Sequence, residues 1–148
     1  MAEPLFKDVL QVGVVVRDLE ASMRTYSEEY GIGPWEVIDV NPETADKLIQ
    51  DELPAEHSFR VALAMIGSVQ WELIEPLDDS TDYYDFLRKH GEGLHHVAMA
   101  VDDYGTAVNA LRAKGHRLIL GGERRGATWG YLSTKEKLGF TVELFDLP

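Results

Sequence analysis

Four polar side chains stand inside strands that are otherwise apolar. Gln11 lies in "DVLQVGVVVRD", Glu72 in "VQWELIEP", His96 in "GLHHVAMAVDD" and Glu143 in "GFTVELFD". A buried amide or carboxylate needs a partner, because leaving it unpaired costs about 1–3 kcal/mol or more. Two carboxylates, one imidazole and one amide oxygen make a divalent-metal set. Two facing acids without a cation raise each other's pKa, and a metal removes that penalty. The set is rich in oxygen, which suits a six-coordinate ion with open water positions better than a closed tetrahedral one. The chain has no cysteine, so thiolate chemistry and a disulfide frame are excluded.

The spacing of these residues follows an internal repeat. "QVGVVVRDL" (residues 11–19) overlays "HVAMAVDDY" (residues 96–104), which sets Gln11 on His96 and Asp18 on Asp103. "WELI" (71–74) overlays "VELF" (142–145), which sets Glu72 on Glu143. Each polar residue alone reads as structural: a lone strand glutamine pairs with a loop, and a lone strand glutamate faces solvent. Their coincidence at symmetry-related points favours a shared metal. His95, by contrast, reads as an ordinary core or surface histidine. The period is too long for a solenoid and points to two modules side by side.

Each module must hold its pair on one face of a sheet. The chain opens with a strand at about residues 9–16, then a helix with Leu19, Met23 and Tyr26 at helical spacing. Asp18 is its N-cap, and Gly31 or Gly33 its stop. "PWEVIDV" is a short strand, and "NPETADKLIQDELPAE" a polar loop with a helical turn. "SFRVALAMIG" and "VQWELIEP" form a hairpin turning at Gly67 and Ser68. A capped helix lies within "DDSTDYYDFLRKHGEG". The order then restarts with a strand, a helix burying Ala107, Val108 and Leu111, and three strands.

This pattern predicts an α+β fold, two paired βαβββ modules forming a cupped mixed sheet. One domain spans 1–148: module one at about 8–76, a linker helix at about 77–93 and module two at about 94–148. Alternation sets Gln11 with Gly13 and Val15, and His96 with Ala98 and Ala100, with Val97, Met99 and Val101 turned toward a helix. Ala62 and Ala64 are expected beside them, as small residues lining a cavity. Trp35, Trp71 and Trp129 are candidates for an apolar pocket; Trp71 alternates with Glu72 and turns away from the metal, so Trp129 is the better one. Arg124 and Arg125 are the candidate clamp for an anionic group.

At these residues the sequence resembles the vicinal oxygen chelate superfamily, also called the glyoxalase/bleomycin-resistance/extradiol-dioxygenase fold. The resemblance covers essentially the whole chain. "GIGPW", "ELIEPL" and "GLHHVAMAVDD" are similar in particular to methylmalonyl-CoA epimerases. It implies paired βαβββ modules cupped around one divalent ion (Zn, Co, Ni, Mn or Mg) held by Gln11, Glu72, His96 and Glu143. Those epimerases usually carry His at the first position and often Gln at the second. Gln, Glu, His, Glu is instead the set of eukaryotic-type glyoxalase I.

The implied activity is epimerisation or isomerisation through loss of an α-proton and a metal-stabilised enediolate. The alternatives are a glyoxalase I-type lyase, or a small-molecule-binding protein of the same fold without chemistry. Glu143 is implied as ligand and base. Glu56, in "PAEHSFRVALA", is implied as the second base of a two-base epimerase. Only one His remains where ring-cleaving dioxygenases use two, which disfavours iron-dependent ring cleavage. The implied substrate is a small carbonyl or carboxylate compound or an acyl-CoA, and the implied assembly is a homodimer.

Composition narrows the partners. A net charge of −12 over 148 residues disfavours nucleic acid. Hydrophobic residues at 45% and charged residues at 27% are ordinary for a globular domain. No apolar run reaches bilayer length and no leader pattern opens the sequence, so no membrane partner and a cytoplasmic location are expected.

Overall fold

The computed structural model describes residues 3–148. In chain order its elements are β1 (Asp8–Val15), α1 (Leu19–Tyr30), β2 (Glu36–Val40), β3 (Lys47–Gln50), β4 (Leu53–Pro54), β5 (Phe59–Ile66) and β6 (Val69–Pro76). α2 (Asp82–His90), β7 (Gly93–Ala100), α3 (Tyr104–Ala113), β8 (Leu118–Arg124), β9 (Ala127–Leu132), α4 (Lys135–Leu138) and β10 (Thr141–Asp146) follow. The repeat is visible at both principal helices. The Asp18 carboxylate accepts from the Ala21 N–H at 3.0 Å to start α1, and Asp103 accepts from the Thr106 N–H at 2.9 Å to start α3. Gly31 stops α1 in the left-handed conformation, φ 68°.

All ten strands form one curled sheet in the order β2-β5-β6-β1-β7-β10-β9-β8-β3-β4. Module one contributes β2-β5-β6-β1 and module two the mirrored run β7-β10-β9-β8. The two meet where β1 pairs antiparallel with β7. Within each module the first strand runs parallel to the last, β1 beside β6 and β7 beside β10. The two-module cupped mixed sheet is therefore the observed fold.

Residues 41–56 depart from the expected loop. They carry β3 and β4, and β3 pairs antiparallel with β8 of the other module. Such a short polar stretch shows no clear alternation; β8 supplies its partners, so tertiary context creates the strand.

α1 and α3 cover the convex face, while α2 packs on the concave side, where Tyr83 lines the cup. Leu19 of α1 packs with Val16, Ala62 and Leu73 of the sheet, and Ala107, Val108 and Leu111 of α3 pack with Val142 and Leu144. This corrects the expected facing of β5. Ala62 and Ala64, 0% and 5% exposed, lie on the convex, α1-covered side. Val61, Leu63 and Met65 line the cup instead. Small residues there let α1 approach the sheet closely, while bulky ones narrow the hollow opposite. No helix among the described residues is long and apolar enough to cross a membrane.

Candidate metal centre and cup

The strand register brings the four polar residues together. Across β6, β1, β7 and β10, Glu72, Gly13, His96 and Thr141 stand side by side. The next row on the same face is Gln70, Gln11, Ala98 and Glu143. Gly13 is required here: a Cβ would fall 2.5 Å from His96 Nδ1 and closer still to Cε1 and Nε2. The space expected beside Gln11 is thus occupied by the imidazole of its symmetry mate.

Oxygen atoms converge on His96 Nε2. Glu143 Oε1 lies at 3.1 Å, Glu72 Oε1 at 3.2 Å and Gln11 Oε1 at 3.3 Å, with the Tyr131 hydroxyl at 3.4 Å. One ring nitrogen has a single N–H axis and cannot satisfy so many acceptors. Accordingly Glu72 Oε1 and Glu143 Oε1 are buried without a directed hydrogen bond. Their side chains and that of His96 are 13%, 4% and 0% exposed. Two orphaned carboxylate oxygens facing an imidazole nitrogen fit a divalent cation, and these three residues present ligand atoms within 4.8 Å of one another. The Gln11 amide nitrogen donates to Gln70 Oε1 at 2.7 Å, which turns its own oxygen toward His96.

Protonation follows from the crowding of charge. Burial lowers the His96 pKa, but Glu143 and Glu72 outweigh it and raise it to about 9. Burial raises Glu143, His96 offsets this in part, and the result is about 7. Burial and the neighbouring acids push the Tyr131 and Tyr83 hydroxyls well above their usual value, so both remain protonated. They share a hydrogen bond of 2.5 Å beside the centre.

Two β-bulges set how the residues before the ligands face. In the β1–β7 pairing the register skips at Leu10 on β1 and at His95 on β7. These are repeat mates, one step before Gln11 and His96. An extra residue in one strand breaks alternation. Leu10 consequently joins Gln11 in lining the cup, and His95 turns onto His96 with their Nδ1 atoms 3.1 Å apart.

The centre floors a cavity of about 510 Å³. Trp129 lines it, whereas Trp71 faces α1 and donates to the Tyr26 hydroxyl at 3.1 Å. Trp35 packs on Tyr26 outside the cup, so of the three tryptophans Trp129 alone lines it. Arg124 also lines the cavity, its Nε buried without a partner. Arg125 is exposed in the β8–β9 turn at φ 51° and faces away from any clamp role in the cup. Glu56 is exposed and is not among the lining residues; it precedes β5 outside the cup, so the expected second base is not brought to the centre. Gln70, Tyr131, Asp82 and His95 are the site residues missed from sequence. "HH" and the polar pair Gln70 and Glu72 in "VQWE" mark His95 and Gln70, but nothing local marks Asp82.

Comparison with known proteins agrees with this geometry. The model of the Glyoxalase/Bleomycin resistance protein/Dioxygenase superfamily matches residues 10–132. The uncharacterised protein YqjC of Bacillus subtilis is 35% identical over 99 residues, covering 65% of this chain and 71% of that protein. Mitochondrial methylmalonyl-CoA epimerase of Mus musculus is 31% identical over 137 residues, covering 90% and 69%. Streptomyces coelicolor methylmalonyl-CoA epimerase, an E43Q variant in complex with 2-nitronate-propionyl-CoA, superposes with a TM-score of 0.73 at 25% identity over 96% and 98% of the two chains. The chain therefore belongs to the glyoxalase/bleomycin resistance/dioxygenase superfamily, the vicinal oxygen chelate proteins, on its methylmalonyl-CoA epimerase-like side.

Proposed function

We propose that this protein is a divalent-metal-dependent epimerase acting on a carbon acid next to a carbonyl, with an acyl-CoA such as methylmalonyl-CoA as substrate. The observation that carries it is the pair of buried, unpartnered carboxylate oxygens of Glu72 and Glu143 facing His96 and Gln11 at the floor of the cup. The similarity to methylmalonyl-CoA epimerases supports an enzyme of this kind. An ion held by Gln11, Glu72, His96 and Glu143 would supply Lewis-acid stabilisation of the negative charge that develops on the carbonyl oxygen.

The protein's own groups handle the proton. Glu143 accepts the α-proton; the C–H pair moves into the adjacent carbonyl system, and return of a proton to the other face inverts the carbon. Glu72 comes from β6, on the other side of the β1–β7 pair from β10, and in this reading serves the opposite face. Arg124 takes an anionic part of the substrate, and the apolar wall around Trp129 excludes water from the reacting carbon.

The test is α-proton exchange of methylmalonyl-CoA in D2O, followed by NMR with and without added metal. Metal-dependent exchange that Glu143→Gln lowers by about 100-fold or more is the expected result. The Gln, Glu, His, Glu set also favours a second reading, the glyoxalase I-type lyase, in which the proton returns to the neighbouring carbon. Exchange absent with methylmalonyl-CoA but present with a hemithioacetal would select it. No bound metal and no exchange with either would overturn both.

A further inference from the structure

His96 is the only nitrogen among the four ligands, and it can bind an ion through Nε2 only if its proton sits on Nδ1. What decides this lies behind it. His95 Nδ1 is 3.1 Å from His96 Nδ1, and His95 Nε2 is 2.6 Å from Asp82 Oδ2. Asp82 opens α2, whose start is capped by Thr81 accepting from the Tyr84 N–H. The His95 side chain is 1% exposed, set edge-on to Tyr83 and Phe86 and tilted against Tyr131, with ring centroids 5.1, 5.3 and 5.8 Å away.

The chain of donors and acceptors has one consistent solution for an unprotonated His96 Nε2. Asp82 is 43% exposed at one end of the chain and ionised, so it only accepts. The proton on His95 must then be on Nε2. The two Nδ1 atoms, 3.1 Å apart, need one proton between them, and with His96 Nε2 unprotonated that proton is on His96, so His95 Nδ1 accepts through its lone pair. The donor facing that lone pair is His96 Nδ1–H. The His96 Nε2 lone pair is thereby turned to the oxygens of Gln11, Glu72 and Glu143.

We infer that Asp82 and His95 are positioning residues forming a carboxylate–imidazole–imidazole relay from α2 that fixes the tautomer and orientation of His96 as a metal ligand. This rests on the metal-dependent reading of the cup. The relay depends on the bulge at His95, since regular alternation would put its ring on the other face of the sheet. It gives the linker helix α2 a functional task.

The test combines metal affinity with a direct view of the tautomers. Competition titrations with Zn2+ and Co2+ against a chromophoric chelator are made on wild type, Asp82→Asn, Asp82→Glu and His95→Phe. Loss of the relay is expected to weaken affinity about 10–100-fold, with Asp82→Glu recovering part of it. Long-range 1H–15N spectra of the zinc-loaded protein should show the proton on His95 Nε2 and on His96 Nδ1. In Asp82→Asn, the His95 proton should redistribute toward Nδ1. A wild-type His95 carrying its proton on Nδ1 would overturn the relay whether or not the variants fold. So would Asp82→Asn with unchanged tautomers and affinity within twofold. If wild type takes up no divalent metal, the epimerase reading falls, while the position of the His95 proton, on Nε2 toward Asp82 or on Nδ1, still decides the relay in the same spectra.

Discussion

Replacing Gly13 by Ala tests whether the centre is built by the steric fit between the two modules. The added Cβ would lie 2.5 Å from His96 Nδ1 and nearer to two other ring atoms, while ordinary contact begins at 3.4 Å. The ring must therefore retreat by about 1 Å or more, against walls formed by buried Tyr131 and His95. Overpacking of that size costs about 1–3 kcal/mol, or roughly 2–12 °C in melting temperature for a domain of this length. Ligand geometry tolerates only about 0.2 Å, so a shift of this size removes His96 from the ligand set and metal affinity collapses. The control is the symmetry mate, Ala98→Gly: Ala98 is fully buried, so this variant loses stability but keeps its metal. The assay pairs thermal unfolding with a chelator competition titration. Gly13→Ala with wild-type melting temperature and wild-type metal affinity would refute the steric account.

Further outcomes follow from the same centre. The metal-free protein should lose stability as pH rises from about 7 to 9. His96 is raised from 6.5 to about 9, so the folded state holds its proton where the unfolded chain has lost it, and that stabilisation disappears as pH passes through 9. Glu143, raised from 4.5 to about 7, acts in the same direction at lower pH, where His57 and His95, both lowered by burial, oppose it. Urea unfolding of chelator-treated protein across pH 7–9 reads the sign, and stability rising over that window would refute it; saturating metal, which takes the proton's place, should reverse the trend. Gln70→Leu leaves the buried Gln11 amide nitrogen unpartnered, costing about 1–3 kcal/mol. It also frees the amide to turn, so metal affinity should fall together with unfolding free energy; a drop in neither would show that Gln70 does not orient Gln11.

The two modules, their helices and the four converging residues were legible because each is a local signal repeated twice. Asp18 and Asp103 cap helices one after the other, and a polar residue in an apolar strand is conspicuous wherever the strand pairs. Overlaying the halves was enough to put Gln11 with His96 and Glu72 with Glu143, because their positions relative to their own strands do not depend on the rest of the chain. Tertiary structure decided what depends on a neighbouring strand or helix. Period-two alternation has no knowledge of a bulge, so the sequence alone gives His95 an ordinary role, and its pairing with β1 turns it onto His96. The face of β5 was settled by what each side packs against: α1 takes Ala62 and Ala64, and the cup takes Val61, Leu63 and Met65. Glu56 looked like a base by sequence position, but its loop leaves it exposed outside the cup. Asp82 reaches the centre only because α2 folds back over β7, a contact between residues 13 apart that no local pattern encodes.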